Sequence, residues 1–263
     1  MSDERNIPVI CSRIKAGMGN QMFQYARGFA LAIRTGGRLL LDVSSFKKQS
    51  NNRRFELGEF QLGCGKIVKS IPKGLVNLRE RKNATYSEEY KGGSVCLSGI
   101  WASEKYFVEY RPQLLSSFLL KQDISHPVFE QKGCIIGVHV RRTDTLKKGS
   151  VSNVCNMDYY DRAFREMGER FPGSTFVVFS DDPDWCEENF QGDCVIVRGN
   201  SPAEDISLMS RCHHHIIANS TFSWWGAWLC QHKKQTVIYP PIWARHITPN
   251  DKSDHIPDAW KNT

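Results

Sequence analysis

The sequence predicts an α/β protein built from two doubly wound, parallel-sheet units, and three observations carry that prediction. Between residues 8 and 43 an apolar run, a glycine-bearing loop, a helix-period segment and a second apolar run follow one another, the order of a βαβ unit. Between residues 134 and 239 short apolar runs alternate with helix-period segments, as a parallel sheet requires. Residues suited to binding charge directly follow two of the apolar runs, where open α/β sheets hold their ligands.

Residues 8–14 read as a strand and 15–21 as a loop around Gly17 and Gly19. Met22, Phe23, Tyr25, Ala26, Phe29, Ala30 and Ile33 then recur at helical spacing, so a helix is expected over 22–34, stopped by Gly36-Gly37. Leu39-Leu40-Leu41-Asp42-Val43 is a short buried strand. Residues 44–93 are polar and glycine-dotted, without a usable period, and receive no assignment. A strand is expected at 95–100, and a helix interrupted by Pro112 at 104–120. Ser125-His126-Pro127 marks a turn, which divides the chain into units spanning 1–125 and 126–263. In the second unit strands are expected at 134–140, 175–180, 194–197, 215–218 and 236–239. Helices are expected at 157–170, 183–189, 204–212 and 222–231.

The 263 residues, 40% hydrophobic and 24% charged, can bury a full core. The net charge of +7, from 35 basic and 28 acidic residues, favours anionic ligands or anionic membrane surfaces. No basic run is interleaved with stacking aromatics, so nucleic acid is not an expected partner. Nine cysteines lie scattered without a C-x-x-C pair, and the odd count opposes a complete disulfide framework. A reducing cytoplasm is the expected location. No stretch approaches the ~20 apolar residues of a membrane-spanning helix. The expectation is a protein in solution or peripherally attached at the inner face of the membrane.

A strand that opens into a helix start aims backbone N–H groups and hydroxyls at one spot, which suits a phosphate. Ile216-Ile217-Ala218-Asn219-Ser220-Thr221-Phe222-Ser223 has this form. Ile135-Ile136-Gly137-Val138-His139-Val140-Arg141-Arg142-Thr143-Asp144 supplies the cations, because a guanidinium meets phosphate oxygens with two donors at once. Together they predict an enzyme that holds a nucleotide diphosphate. Alternation along a strand points adjacent side chains apart, so one arginine is expected to face the ligand and the other to be structural, tied to Asp144. Arg141 follows His139 at period two and is the favoured ligand contact. His139 is either a general base, its reference pKa lying near neutrality, or a hydrogen-bonded strand residue. Asp144 is either a base or an arginine's partner.

Further residues have competing readings. Asp182-Pro183-Asp184 spells a D-x-D metal pattern, but at a helix start it reads as caps and dipole partners, and no metal is expected. Ser180 and Asp181 are expected at the ligand side of their strand end. Three consecutive side chains cannot easily converge on one ion, so His213-His214-His215 reads as a helix-to-strand connector. Trp224, Trp225 and Trp228 at helical spacing read as core. Gly17 and Gly19 let backbone approach a ligand closely, and Asn20 and Gln21 are candidates to bind phosphate or an acceptor hydroxyl.

Gly17-Met18-Gly19-Asn20-Gln21-Met22-Phe23-Gln24-Tyr25-Ala26 resembles the N-terminal signature of glycosyltransferase family 11, the α-1,2-fucosyltransferases. His139-Val140-Arg141-Arg142-Thr143-Asp144 resembles the H-x-R-R-x-D motif that they share with protein O-fucosyltransferases and α-1,6-fucosyltransferases. Phe179-Ser180-Asp181-Asp182, the segment from Asp205 to Ser210 and that from Ser220 to Gly226 are similar to the remaining blocks, in the expected order. The resemblance implies a GT-B fold, two Rossmann-like units facing a central cleft. It implies inverting transfer of L-fucose from GDP-fucose to the 2-hydroxyl of a terminal β-galactoside, with no cofactor. By the same resemblance Arg141 or Arg142 contacts the β-phosphate, and His139 lines the nucleotide pocket. Ser220, Thr221, Phe222 and Ser223 then supply hydroxyl and amide donors to the phosphates. Asp205 is either the N-cap of its helix or, as the resemblance implies, the acceptor for the adjacent N1–H and N2–H₂ donors of guanine. One departure is Ala16, where the family usually has glycine, which puts the local loop geometry in question. The catalytic base is not singled out. The alternatives are a related fucosyltransferase with a different acceptor and a non-catalytic nucleotide-sugar-binding protein.

Overall fold

The structure, a computed structural model, describes residues 7–48, 53–80, 86–142, 155–190, 192, 194–241 and 254–260. The chain divides into two compact units, Met1–Lys121 with Ser253–Pro257, and Gln122–Lys252 with Asp258–Thr263. The return of Ser253–Pro257 to the first unit is a long-range event that no local pattern signals.

In the first unit five parallel strands are ordered β3-β2-β1-β5-β4, with β1 at Val9–Arg13, β2 at Arg38–Asp42, β3 at Lys66–Val68, β4 at Val76–Arg79 and β5 at Val95–Ser98. Helix α1 runs Met18–Thr35, starting four residues before the expected position, so Gly19, Asn20 and Gln21 are helical rather than loop. Gly36 closes it at φ 61, donating its N–H to Ala32 and Ile33 carbonyls. Gly28 lets α1 lie close on the sheet: a Cβ there would meet Leu39 Cδ1 at 2.9 Å and Ser12 Cβ at 3.0 Å. Residues 104–120 form two 3₁₀ turns, Glu104–Tyr106 and Val108–Tyr110, and then α2 at Arg111–Ser117. Pro112 therefore opens a short helix in its first turn instead of interrupting a long one.

Arg27 of α1 is 1% exposed, and its guanidinium forms two bonds to Glu88, Nη2 to Oε1 at 2.9 Å and Nη1 to Oε2 at 3.2 Å. It lies 4.8 Å from the Tyr106 ring and 5.5 Å from that of Trp101. Burial pushes the Glu88 pKa up, but hydrogen bonds from Arg27 and Arg34 outweigh it and hold the carboxyl at about 2. A depressed carboxylate contributes stability above its unfolded pKa that is lost as pH falls through the folded value. Glu88→Gln is thus expected to cost on the order of 3 kcal/mol at neutral pH by stranding the Arg27 charge. The gap in thermal midpoint between wild type and variant should narrow as pH falls from 4.5 to about 2. A pH-independent gap would remove the ion pair from the account.

In the second unit five parallel strands are ordered β10-β9-β6-β7-β8. They span Ile135–Val140 (β6), Thr175–Ser180 (β7), Cys194–Ile196 (β8), His214–Ile216 (β9) and Val237–Ile238 (β10). The connecting helices are α3 at Met157–Arg170, α4 at Pro183–Asn189, α5 at Pro202–Ser210 and α6 at Thr221–Trp228. Central β6 is buried at every position, as a strand covered on both faces must be. Helices α5 and α6 pack tightly because Gly226 has no side chain: a Cβ would meet Met209 Sδ at 2.3 Å and its Cβ at 3.0 Å. Trp224, Trp225 and Trp228 are at most 4% exposed and pack on one another, the core role read from their spacing.

The histidine run joins α5 to β9 and enters the strand, and each imidazole fixes a different piece of backbone. His213 Nδ1 accepts from Ile135 N–H at 3.0 Å, and His214 Nδ1 from Thr236 N–H at 3.0 Å. His215 donates through Nε2 to Met209 O at 2.8 Å while Gln235 donates to its Nδ1 at 2.9 Å. Among the described residues no group of three or more His, Cys, Asp or Glu is arranged to hold a metal ion. None of the nine cysteines is in a disulfide. No helix among the described residues is long and apolar enough to cross a membrane.

Candidate active site at the strand ends of the second unit

The site starts from register. Val140 of β6 pairs with Ser180 of β7, and Val138 pairs with Ile216 of β9, all parallel. Arg141, Asp181 and the segment leading to Ser220 therefore leave the sheet at the same edge. Tyr159 and Tyr160, adjacent on α3, hold two of these strand exits: their hydroxyls donate to Ile217 O at 2.6 Å and His139 O at 3.0 Å. Sequence reasoning missed both, because two tyrosines on an amphipathic helix look like ordinary core.

The two arginines diverge, as strand alternation predicts. Arg141 Nη1 donates to Ser220 Oγ at 3.3 Å, and Ser220 Oγ also accepts Phe222 N–H at 3.3 Å as the N-cap of α6. A guanidinium thus sits at the start of a helix, where the backbone already favours negative charge. Arg142 turns toward β7: its Nε donates to Asp182 Oδ2 at 3.0 Å and its guanidinium lies 3.8 Å from the Trp185 ring. Its backbone N–H donates to Asp181 Oδ1 at 2.8 Å. Asp182 is thus a partner of the structural arginine; the expected partner, Asp144, lies outside the described residues together with Thr143.

Asp182 also caps α4 by accepting Trp185 N–H at 3.4 Å, while Asp184 pairs with Arg198 at 2.7 Å. Both carboxylates of the D-x-D string are engaged by arginines, in two directions. Ser180 Oγ accepts Asp182 N–H at 3.0 Å, so it shapes the turn, and Asp181 is exposed beside it.

His139 is 6% exposed and packs against Phe222, with ring centroids 5.3 Å apart. Its Nδ1 is buried with no hydrogen-bond partner among the described residues. Burial pushes its pKa down to about 4, against the opposing pull of Asp181, with Arg141 adding to the fall. The imidazole is neutral at pH 7 and is a weak base, which argues against the general-base reading. Along α6, Thr221 and Phe222 are half-buried in the first turn. The Ser223 hydroxyl is fully buried, and its single proton is shared between Ser220 O at 3.2 Å and Ala218 O at 3.3 Å. The hydroxyl therefore braces the turn, which leaves only the Ser223 amide for the expected role as a phosphate donor.

Asp205 does not cap α5. Ser201 does, and its hydroxyl accepts Glu204 N–H at 3.3 Å while Glu204 accepts Ser201 N–H at 2.6 Å, a complete capping box. Asp205 lies one residue further in, half-buried, with Asn200 donating to its Oδ1 at 3.0 Å. Burial pushes its pKa up to about 6, eased by Asn200 and augmented by the charge of Glu204. The string Ser201-Pro202-Ala203-Glu204 carried this assignment in the sequence: a capping box with proline in the first turn.

The N-terminal loop belongs to the first unit. Ala16 has φ 67, the left-handed region where glycine is at ease and an alanine costs about 1 kcal/mol. Gly17 has extended backbone and caps α1 without a side-chain bond, and a Cβ on it would meet Arg53 Nη1 at 3.3 Å. Gly19 is buried and Asn20 half-buried in the first helical turn. Gln21 is fully buried: its Nε2 donates to Ala16 O and Arg54 O at 2.9 Å each, and its Oε1 accepts Glu56 N–H at 2.9 Å. Its amide holds the loop's shape and is corrected from ligand contact to brace. Gln24, overlooked in the sequence, ties Lys15 N–H at 2.9 Å to Gly99 O at 3.2 Å.

Residues 88–260 match the family model described as glycosyl transferase family 11. The chain is 30% identical to an α-1,2-colitosyltransferase of Escherichia coli, over 96% of this chain and 98% of that one. It is 30% identical to the O-antigen biosynthesis glycosyltransferase WbnK of Escherichia coli, covering 95% of this chain and 99% of that one. Galactoside 2-alpha-L-fucosyltransferase Sec1 of Mus musculus is 30% identical over 82% of this chain and 63% of that one. In fold the chain is similar to the fucosyltransferase NodZ from Bradyrhizobium, with TM-score 0.51 at 14% identity, covering 85% of this chain and 93% of that one. A match of more than half the chain to the family model, with full-length relatives at 30% identity, places this chain in glycosyl transferase family 11.

Proposed function

We propose that this protein is an inverting α-1,2-fucosyltransferase of GT-B type. It moves L-fucose from GDP-fucose to the 2-hydroxyl of a terminal β-galactoside in a glycan, in the cytoplasm and without a metal. The single observation that carries the reading is Arg141 on the Ser220 cap, a cation and a helix start meeting at one strand end. Relatives support the linkage, since the colitosyltransferase is named an α-1,2-transferase and Sec1 a galactoside 2-alpha-L-fucosyltransferase.

In the reaction the galactose 2-oxygen forms a bond to the fucose anomeric carbon as the bond to the β-phosphate oxygen breaks, so the electron pair leaves with GDP and the hydroxyl proton passes to a phosphate oxygen of the departing GDP or to solvent. Arg141 and the N–H groups at the start of α6 neutralise the charge growing on that phosphate, the role for which a fixed cation is worth most. His139 stays neutral and offers its unpartnered Nδ1 to the nucleotide side of the pocket. Arg142, locked between Asp182 and Trp185, keeps the strand exit in place.

One specific observation favours a second donor: the colitosyltransferase matches over 96% of this chain. Colitose is fucose without its 3-hydroxyl, so the same phosphate chemistry serves both. The test is a transfer assay with GDP-fucose and GDP-colitose against a panel of β-galactosides, with linkage analysis of the product. Transfer of fucose to the 2-hydroxyl, undiminished by excess EDTA, is expected. Loss of activity in chelator and its return with Mn²⁺ would replace the arginine scheme with metal assistance. Nucleotide-sugar binding without transfer to any acceptor would make the protein a non-catalytic binder.

A further inference from the structure

The residues from β3 to β4 in the first unit take no part in the chemistry above, yet their composition is unlike the rest of the chain. Between Glu59 and Glu80 there is no acidic residue, while Lys66, Lys69, Lys73 and Arg79 bring four positive charges. Every residue from 66 to 79 is exposed except Val68, Leu75 and Leu78, which are half-buried. Three large apolar side chains lie in the open here: Ile67 at 50%, Ile71 at 37% and Val76 at 67% exposure. Among the described residues no ion pair engages Lys66, Lys69 or Lys73.

Topology spreads these residues out. β3 and β4 are the two opposite edges of the five-stranded sheet, so the chain between them must cross four strand spacings, about 19 Å. The result is a band of alternating cations and aliphatic side chains rather than a concave pocket, which suits an extended partner and not a small ligand.

We infer that this band docks the protein on an anionic lipid surface, its lysines facing the headgroups and Ile67, Ile71 and Val76 entering the headgroup boundary. Charge complementarity selects that partner. Anionic bilayers attract basic segments and accept aliphatic side chains at the same depth. A nucleic acid would meet the cations but not the aliphatics, and residues 61–85 contain no aromatic ring on which a base could stack. A second copy of the chain would bring the band against itself about a two-fold axis, opposing like charges. The inference does not rest on the proposed reaction.

The test is cosedimentation of the full chain with vesicles of phosphatidylcholine alone and of phosphatidylcholine mixed with phosphatidylglycerol. Binding only to the anionic vesicles, weakened by added salt, is expected. The triple variant Lys66→Gln, Lys69→Gln, Lys73→Gln should partition about a hundredfold less, since each surface cation contributes roughly fivefold. The double variant Ile67→Ser, Ile71→Ser should also bind less, but its deficit should persist at every salt concentration. Thermal midpoints unchanged from wild type establish that the variants are folded, as these exposed positions predict. Equal binding to neutral and anionic vesicles, no binding at all, or undiminished binding by the folded triple variant would overturn the inference. So would a lysine-dependent self-association that competes with vesicles.

Discussion

Arg141→Lys is expected to lower kcat for sugar transfer by about a hundredfold or more, with the thermal midpoint held. That is the scale of removing one donor aimed at transition-state charge. Lysine keeps the charge but loses the planar fork, so the substitution separates bidentate contact from simple neutralisation. Arg142→Lys should behave the opposite way. Its guanidinium is spent on Asp182 at 3.0 Å and on the Trp185 ring at 3.8 Å. Losing the stacked cation should cost about 1–2 kcal/mol of stability, with kcat nearly preserved. Single-turnover kinetics and thermal unfolding on both variants decide the matter. Near-wild-type turnover in both would shift the phosphate contacts onto Ser220, Thr221 and Phe222. A turnover loss confined to Arg142→Lys would mean that its ion pair opens when the donor binds.

That asymmetry was partly legible before the fold was known. Period-two alternation along β6 already set Arg141 with His139 and turned Arg142 away. What alternation could not supply was the partner, because Asp182 arrives from a neighbouring strand and pairing between strands is a tertiary event. The parallel-sheet class was equally legible, since β6 and β7 are buried apolar runs bounded by turns. β3 and β4 left no readable trace: they hold three and four residues, sit on sheet edges and expose most of their side chains. The start of α1 was misread for a local reason. Glycines at positions 17 and 19 look like a loop, yet Gly19 is helical because Gln21 and Gln24 brace the turn with amides that no periodicity reveals. Ala16 shows the limit of a residue pattern, since the loop adopts a left-handed conformation there without a glycine.

Asp205→Asn is expected to weaken binding of GDP-fucose by about ten- to a hundredfold, the value of a hydrogen bond to a charged acceptor, 1.5–3 kcal/mol. The capping box of Ser201 and Glu204 closes the helix without Asp205, so its carboxylate is kept for another purpose. A buried carboxylate with a pKa near 6 is costly for folding: stability from the neutral form is present at low pH and lost as pH rises through about 6. The expected compensation is guanine, whose N1–H and N2–H₂ would donate to the ionised form. Donor affinity should therefore fall as pH drops below about 6, approaching tenfold per unit, while the Asn variant stays flat. GDP-fucose is the right probe, because its diphosphate carries no terminal phosphate to titrate in this range. Calorimetry across the window separates the outcomes. If wild type and variant bind equally tightly with the same pH profile, Asp205 does not read the base, and Asn200 and Asp205 form only a structural pair. If the variant instead binds GDP-fucose and ADP-fucose with equal affinity, the carboxylate is the source of guanine specificity, since adenine has no pair of adjacent donors to lose.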